Sequence, residues 1–193
     1  MQTFVLAAAI ALASQNPASP TALFAEGATF AEFMADVRAQ RRTWEENAAR
    51  PAPPRELVER LQRAGAGLRL LVVSEAACSD SVQTVPYIAR LASLAGVDLR
   101  IVTKARGLWL LEQHRTPDGR TATPTVVLLR EGRDVGAWVE RPEVLQTWFL
   151  ARQDLSARER LARKTSWYDW DRSASTLAEI VALAERTAAD DRH

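Results

Sequence analysis

Apolar side chains recur at helical spacing in the first third of the chain. Beginning at Phe30 they occupy positions i, i+3, i+4 and i+7, which predicts an amphipathic helix. Thr29 and Glu32 have the spacing of a capping box at its start. The pattern predicts that this helix continues until the proline-rich segment 51–54 breaks it. A second helix is predicted to follow, with inward side chains at Leu57, Val58 and Leu61.

From residue 68 onward, strands and helices alternate. Residues 68–74, LRLLVVS, form an apolar, β-branched run that is typical of a strand buried on both faces. Residues 97–103, VDLRIVT, predict a second strand. The segment between them predicts a helix that is kinked at Pro86. Its apolar stripe consists of Val85, Ile88, Ala89 and Ala92.

Downstream of these strands the sequence predicts a short helix, a hairpin and a last core helix. The hairpin turns tightly at Glu131 and Gly132. The last helix opens at Pro142. Its buried face is predicted to contain Val144, Leu145, Trp148 and Phe149. This order of elements predicts an α/β fold with a mixed sheet, in which parallel strands precede an antiparallel hairpin and helices flank the sheet.

Composition narrows the classes of function. The chain has 193 residues and is 47% apolar, enough for one core with helical extensions. Its 25 Lys and Arg residues against 24 Asp and Glu give no electrostatic case for binding nucleic acid or an anionic membrane. With one cysteine and two histidines, the sequence predicts neither an internal disulfide nor a Cys/His metal cluster.

The N-terminus carries a short apolar run from Phe4 to Ala13, which is too short to span a bilayer. Its length is that of the hydrophobic region of a signal peptide, and residues 11–13, Ala-Leu-Ala, have the form of a cleavage site. Residues 1–3 supply no Lys or Arg, so a frayed N-terminal helix is the alternative. The first interpretation predicts a periplasmic or secreted protein and the second a cytoplasmic one, and neither predicts stable membrane insertion.

The lone cysteine, Cys78, lies at the predicted junction between strand 68–74 and the next helix. A helix N-terminus presents N–H groups and the positive end of the helix dipole, which favour a thiolate. The carboxylates of Glu75 and Asp80 lie close in sequence and oppose it. A reactive thiol and an inert, buried cysteine are therefore both open from the residues alone.

Several motifs around Cys78 occur together in one family. Cys78 is followed by Ser81 three residues on and by the helix-kinking Pro86, and Thr123-Pro124 opens the predicted hairpin. In this order, residues 68–152 resemble a thioredoxin fold, in which a nucleophilic cysteine faces a cis-proline. With its flanking helices the chain resembles, over residues 22–187, a bacterial subgroup of thioredoxin-family proteins.

The resemblance implies a role for each matching residue. Cys78 would be the nucleophile and Ser81 would occupy the second active-site position, while Thr123, Pro124 and Ala77 would form the substrate surface. Ser81 cannot resolve a mixed disulfide as a second thiol would. The implied activity is that of a monothiol disulfide oxidoreductase or isomerase acting on protein thiols or disulfides. It would have no bound cofactor, and an external thiol such as glutathione would complete the cycle. A redox-inactive binding or scaffold module is the alternative.

The sequence departs from the family at one buried position. The resemblance also suggests a division of the chain into four segments. Val72 stands where the family has a buried acid. A signal peptide with linker is predicted for residues 1–20 and an N-terminal helical extension for residues 22–66. The thioredoxin-like core is predicted to span residues 67–153, and a C-terminal helical extension residues 154–193. The oligomeric state is left open.

The C-terminal extension contains an aromatic cluster ahead of a predicted helix. Trp167, Tyr168 and Trp170 are expected to dock this tail on the core, and an interaction surface is the alternative. Thr176 and Glu179 have capping-box spacing and therefore predict the start of the last helix.

Overall fold

The computed structural model describes residues 19–50 and 53–190. The predicted signal peptide lies outside the described residues. The described helices are α1 (Pro20–Glu26), α2 (Phe30–Asp36), α3 (Arg41–Ala48), α4 (Arg55–Ala64), α5 (Ser81–Ala95), α6 (Leu108–Gln113), α7 (Glu143–Ala151), α8 (Ala157–Asp171) and α9 (Ala174–Asp190). The strands are β1 (Leu68–Ser74), β2 (Asp98–Thr103), β3 (Thr125–Arg130) and β4 (Arg133–Val139).

The four strands form one mixed sheet in the order β2-β1-β3-β4. β1 is parallel to β2 and antiparallel to β3, and β3 pairs with β4 as a hairpin. Glu131 and Gly132 both have positive φ, as a two-residue turn matched to the twist of a hairpin requires. The predicted α/β fold with parallel strands, a C-terminal hairpin and flanking helices is confirmed.

The central strand β1 packs on both faces of the sheet, because successive side chains of a strand point to opposite sides. Leu70 and Val72 belong to the larger core, together with residues of α3, α4, α5 and α9. Leu71 and Val73 belong to a second core beneath α1 and α6. All four side chains are fully buried, as predicted for a strand covered by helices on each side.

The N-terminal helix is shorter than its periodicity predicts. Thr29 and Glu32 form the predicted capping box, but α2 ends at Asp36 and α3 begins at Arg41. The prediction of one continuous helix is therefore wrong. Gln40 adopts the left-handed conformation, with φ of 53°, and turns the chain between the two helices. Phe33 of α2 and Trp44 of α3 still meet edge to face, so both helices serve one core and the apolar period does not reveal the break.

The buried face of α7 differs from the prediction. Leu145 is buried as expected, but Val144 is 57% exposed and Gln146 takes a buried position instead. Trp148 and Phe149 are half-buried. Pro142 directly precedes the helix, so the predicted start is correct while the phase of its inner face is shifted.

The start of the last helix was also predicted wrongly. The aromatic cluster lies inside α8, which is capped by Ser156 and Glu159. α9 begins at Ala174, so Thr176 lies within it. Glu179 does not cap its own helix, because its carboxylate accepts hydrogen bonds from Trp138 Nε1 at 2.8 Å and from the Glu143 backbone N–H at 2.8 Å. The same residue thus joins α9 to β4 and α7.

Arg130, at the end of β3, joins the sheet to two helices. Its buried guanidinium donates to the Ala64 carbonyl at 2.5 Å, the Ala66 carbonyl at 2.8 Å and the Ala184 carbonyl at 3.1 Å. Carbonyls at the end of a helix have no partner within the helix, and that of Ala64, the last residue of α4, is satisfied here by a side chain. Within the described residues no helix is long and apolar enough to cross a membrane.

Candidate functional site

Cys78 caps the N-terminus of α5 with its own sulfur. Its carbonyl accepts from the Val82 N–H at 3.1 Å, the first hydrogen bond of helical type in this region. Its Sγ accepts from the Ser81 N–H at 3.5 Å, which is the bond that a capping side-chain oxygen makes. The side chain is half-buried, so the sulfur combines access to solvent with a fixed position at the positive end of the helix.

The sulfur also contacts the residue that precedes the hairpin. The Cys78 thiol donates to the Thr123 carbonyl over 3.0 Å, and the Thr123–Pro124 peptide bond is cis. Thr123 and Pro124 are buried, and the Pro124 carbonyl accepts from the Glu140 N–H at 2.7 Å. The structure thus brings Cys78, Thr123 and Pro124 together.

The loop before Cys78 is held by the connection from α2 to α3. The Ala77 carbonyl accepts from Gln40 Nε2 at 3.0 Å, and the Ala76 carbonyl accepts from Trp44 Nε1 at 3.0 Å. Ala77, the residue before Cys78, is exposed. The N-terminal helices therefore position one side of the site.

A groove of about 560 Å³ runs beside this loop. Phe33 and Val37 give it an apolar wall, and Ala76 and Ala77 form the side nearest the thiol. Ser74 also lines it, and the fully buried Ser74 hydroxyl has no hydrogen-bond partner among the described residues. The groove is a concave, mainly apolar surface beside the loop that leads to Cys78.

Ser81 does not face this groove as a reactive group. Its side chain is fully buried, and its Oγ has no hydrogen-bond partner within residues 53–190 or 19–50. Its contribution to the sulfur comes from the backbone N–H. Ser79, the other nearby hydroxyl, accepts from Lys164 Nζ at 2.9 Å and thus faces α8.

Asp80 lies in a buried cluster of charged and polar side chains behind the Cys78 turn. Its Oδ2 accepts from Lys164 Nζ at 2.6 Å and from Arg141 at 3.4 Å. Its Oδ1 accepts from the Tyr168 hydroxyl at 2.9 Å. Asp80, Lys164, Tyr168 and Arg141 are each less than 7% exposed. A buried carboxylate needs such partners, because an unpaired buried charge is strongly destabilising.

The cluster continues through Arg141 to the end of β4. Arg141 pairs with the neighbouring Glu140, whose carboxylate also accepts from Arg120 at 3.1 Å. The Arg141 guanidinium lies over the Phe149 ring, 4.2 Å from its centroid. The two carboxylates of Asp80 and Glu140 are thus balanced by cations from three different parts of the chain.

Sequence comparison agrees with this geometry. The sequence profile of a family described as thioredoxin matches residues 27–160, more than half of the chain. The chain belongs to the thioredoxin family. The matched segment contains Cys78 and Pro124, and it ends before Lys164 and Tyr168. No curated protein matches the chain significantly.

Solved structures share the fold of this thioredoxin-family protein. A protein of unknown function, PA1234 from Pseudomonas aeruginosa, is 26% identical with a TM-score of 0.64, over 87% of this chain and 98% of that chain. An HIV epitope-scaffold protein is 26% identical with a TM-score of 0.63 over the same shares. The predicted thioredoxin-like fold is confirmed by these similarities.

Sequence reasoning did not find the polar cluster of this thioredoxin-family protein. It treated Asp80 as a carboxylate acting on the thiol, whereas its charge is paired with Lys164 and Arg141. The family has a buried acid at the position of Val72, which is a fully buried apolar residue of β1 here. In this chain the buried acid nearest to Cys78 in sequence is Asp80. Lys164 is one of only two lysines in a chain that otherwise uses arginine. This rarity is the one feature of the sequence that could have singled it out.

The aromatic tail serves as an anchor at Tyr168 but not throughout. Tyr168 is buried and Trp167 is half-buried, whereas Trp170 is 77% exposed. His114 follows α6 and is half-buried against Asp134, with 2.5 Å between Nε2 and Oδ2. No group of His, Cys, Asp and Glu in the described part of the chain is arranged to hold a metal ion.

Two buried tyrosines, Tyr168 and Tyr87, are expected to resist ionisation. Burial, reinforced by the nearby Asp80 charge and the hydrogen bond to Asp80, holds the pKa of Tyr168 well above its usual value. Burial also raises the pKa of Tyr87. Neither tyrosine is expected to ionise near pH ~10 while the protein is folded. Ultraviolet absorbance during alkaline titration measures this, and ionisation of either residue at the usual pH contradicts it.

The same shift has a consequence for stability. The native state keeps a proton on Tyr168 that the unfolded chain releases above pH ~10. The stabilisation that comes from keeping Tyr168 protonated in the folded state is therefore complete below that pH, and it is lost as the pH rises beyond it. The Tyr168→Phe variant is expected to lose less stability over this alkaline range than the wild type.

Proposed function

We propose that this protein is a monothiol thiol-disulfide oxidoreductase or isomerase that acts through Cys78. The observation that carries the proposal is the position of the sulfur. It is half-buried at the N-terminus of α5, accepts the Ser81 N–H and contacts Thr123 beside Pro124. Helix N-termini favour the thiolate, which is the nucleophile in disulfide exchange.

The substrate class is a protein thiol in a mixed disulfide with glutathione. The Cys78 thiolate attacks the glutathione sulfur, a Cys78–glutathione disulfide forms, and the protein thiolate leaves and takes up a proton. A second glutathione thiolate then attacks this adduct and releases Cys78 as thiolate together with oxidised glutathione. The substrate protein sulfur is reduced to a thiol, and the sulfur of the second, incoming glutathione is oxidised as it joins the first in a disulfide.

An external thiol is needed because the chain has no resolving cysteine. Ser81 holds the second active-site position, and a hydroxyl does not attack a disulfide as a thiolate does. The exposed Ala77 and the adjacent groove leave room for the protein part of the substrate. These features support a cycle in which Cys78 carries the only covalent intermediate.

The test combines alkylation and turnover. The rate of Cys78 alkylation by iodoacetamide is measured against pH, with Cys78→Ser as the blank. A thiolate favoured by the site is alkylated at neutral pH faster than a free cysteine, which is mostly protonated there. Glutathione-dependent reduction of a glutathionylated protein is then followed, and Cys78→Ser is expected to abolish it. Alkylation no faster than that of a free cysteine, or turnover that survives in Cys78→Ser, contradicts the proposal.

A redox-inactive binding module is the second candidate, and one contact favours it. The Cys78 thiol donates a hydrogen bond to the Thr123 carbonyl, which only the protonated thiol can do. In that case the thioredoxin fold serves to bind a partner, and the sulfur fills space at the helix end. Slow alkylation at neutral pH together with absent turnover is the result that this candidate predicts.

A further inference from the structure

Lys164 contacts both residues that directly follow Cys78. Its Nζ donates to Ser79 Oγ at 2.9 Å and to Asp80 Oδ2 at 2.6 Å. The side chain is 5% exposed. Lys164 lies on α8, beyond the segment matched by the family profile. The C-terminal extension therefore supplies a charged group to the turn that carries the thiol.

Asp80 is the residue in this turn whose side chain competes with the sulfur. It directly precedes α5, where a carboxylate is attracted to unpaired N–H groups and to the positive end of the helix dipole. Its side chain nevertheless makes no capping hydrogen bond. It turns instead to Lys164 and Tyr168, and the Ser81 N–H points to Cys78 Sγ.

We propose that Lys164 is a positioning residue for Cys78. By holding the Asp80 carboxylate in the buried cluster, it leaves the N-terminus of α5 to the sulfur. Without the Lys164 ammonium, the carboxylate loses its shortest contact and turns towards the positive end of α5, where it places a negative charge beside the thiolate. The inference rests on the proposed function, because it explains how the site supports a reactive thiolate.

The charged and titratable groups around this turn come from several elements. Glu75 stands in the exposed loop before Cys78, and Arg141 and Glu140 approach from the end of β4. Tyr168 and Lys164 approach from α8. In a Lys164→Met variant, Asp80 retains the Tyr168 hydroxyl and the longer contact with Arg141. The carboxylate is then held only by these longer contacts, of 2.9 and 3.4 Å.

The experiment measures alkylation of Cys78 against pH in Lys164→Met. The rate near pH ~7 is expected to fall about tenfold, because a like charge brought close to an ionising group shifts its titration by a unit or more. Arg163→Met is the matched control, since Arg163 is the exposed neighbour of Lys164 on α8 and its loss also removes one positive charge. It is expected to leave the rate unchanged.

A double variant separates positioning from simple loss of charge. With Asp80→Asn added to Lys164→Met, no carboxylate competes, and the alkylation rate is expected to lie within about threefold of that of Asp80→Asn alone. If Lys164→Met slows alkylation as much in the Asp80→Asn background as in the wild type, Lys164 acts through its own charge and the inference is wrong. Wild-type alkylation in Lys164→Met also overturns it.

A third variant covers the case in which Lys164→Met does not fold. Tyr168→Phe removes only the hydroxyl that binds Asp80 Oδ1 and keeps the buried ring. A smaller fall in alkylation rate that Asp80→Asn reverses supports the inference, and no change overturns it. Alkylation does not require disulfide exchange. Absent turnover with the expected alkylation pattern therefore rejects the proposed function and leaves the positioning role intact.

Discussion

Replacing Arg130 by methionine is expected to lower the free energy of unfolding by about 2–4 kcal/mol. The Ala64 carbonyl accepts from the buried guanidinium and would be left without this donor, whereas the Ala184 carbonyl also accepts from the Thr187 hydroxyl at 3.1 Å and loses only one of its hydrogen bonds. A buried acceptor without a partner costs about 1–3 kcal/mol. The Ala66 carbonyl is only partly buried, so water is expected to replace its lost donor.

Urea unfolding followed by tryptophan fluorescence measures this effect. The free energy of unfolding of a typical domain is only about 5–15 kcal/mol. Arg130→Met is therefore expected to lower the urea concentration at the unfolding midpoint strongly. Arg63→Met is the matched control, because Arg63 lies exposed in the last turn of α4 and its removal should change stability by no more than about 0.5 kcal/mol. Equal stability of the two variants contradicts the assignment of Arg130 as the joint between β3, α4 and α9.

Replacing Ser81 by cysteine is expected to turn a site that needs an external thiol into one that resolves its own adduct. The Ser81 N–H is 3.5 Å from Cys78 Sγ, and residues three apart at a helix start approach closely enough for a disulfide. Ser81 is fully buried and its hydroxyl is unpaired, so a thiol fits there without losing a hydrogen bond. Folding of the variant should therefore be unimpaired.

The measurement is the lifetime of a Cys78–glutathione adduct with no added thiol. A tethered thiol acts at an effective concentration on the order of millimolar. Against micromolar protein, the adduct in Ser81→Cys is expected to disappear at least about 100-fold faster than in the wild type. Mass spectrometry distinguishes the adduct from the internal disulfide that replaces it.

Ser79→Cys is the control for this variant. It adds the same thiol in the same turn, but the Ser79 side chain faces Lys164 on α8. Its adduct is expected to persist as in the wild type. If Ser79→Cys and Ser81→Cys release glutathione equally fast, the added thiol acts without regard to position, and the geometry of the turn does not govern resolution.

The elements that the sequence predicts well are those whose signal is local. The β1 run of apolar residues, the Glu131–Gly132 turn and the Thr29–Glu32 capping box each appear in the structure where their residues indicate. The break between α2 and α3 was missed because Gln40 is not a typical left-handed residue. Its conformation depends on tertiary contacts, including the bond from its amide to the Ala77 carbonyl.

The candidate site was likewise predicted only in part, where its signal is local. The approach of Cys78 to Thr123 was expected from motif order, and the structure places the two 3.0 Å apart. The contacts of Asp80 were not foreseen, since they join it to residues 61, 84 and 88 positions further along the chain. A pattern of apolar and polar positions carries no information about which distant ammonium meets which carboxylate. Lys164 and Tyr168 also lie beyond the familiar motifs.

The dependence of the Cys78 turn on α8 has a consequence for synthesis on the ribosome. The strands, α5 and the hairpin that carry Cys78 and Pro124 are translated before Lys164 and Tyr168. Proteins begin to fold from the N-terminal side as they emerge. The nascent chain thus presents the thiol and its facing proline before Asp80 has its two partners from α8. During that interval Asp80 is not yet held by α8, and the thiol assumes its mature environment only when the C-terminal extension docks.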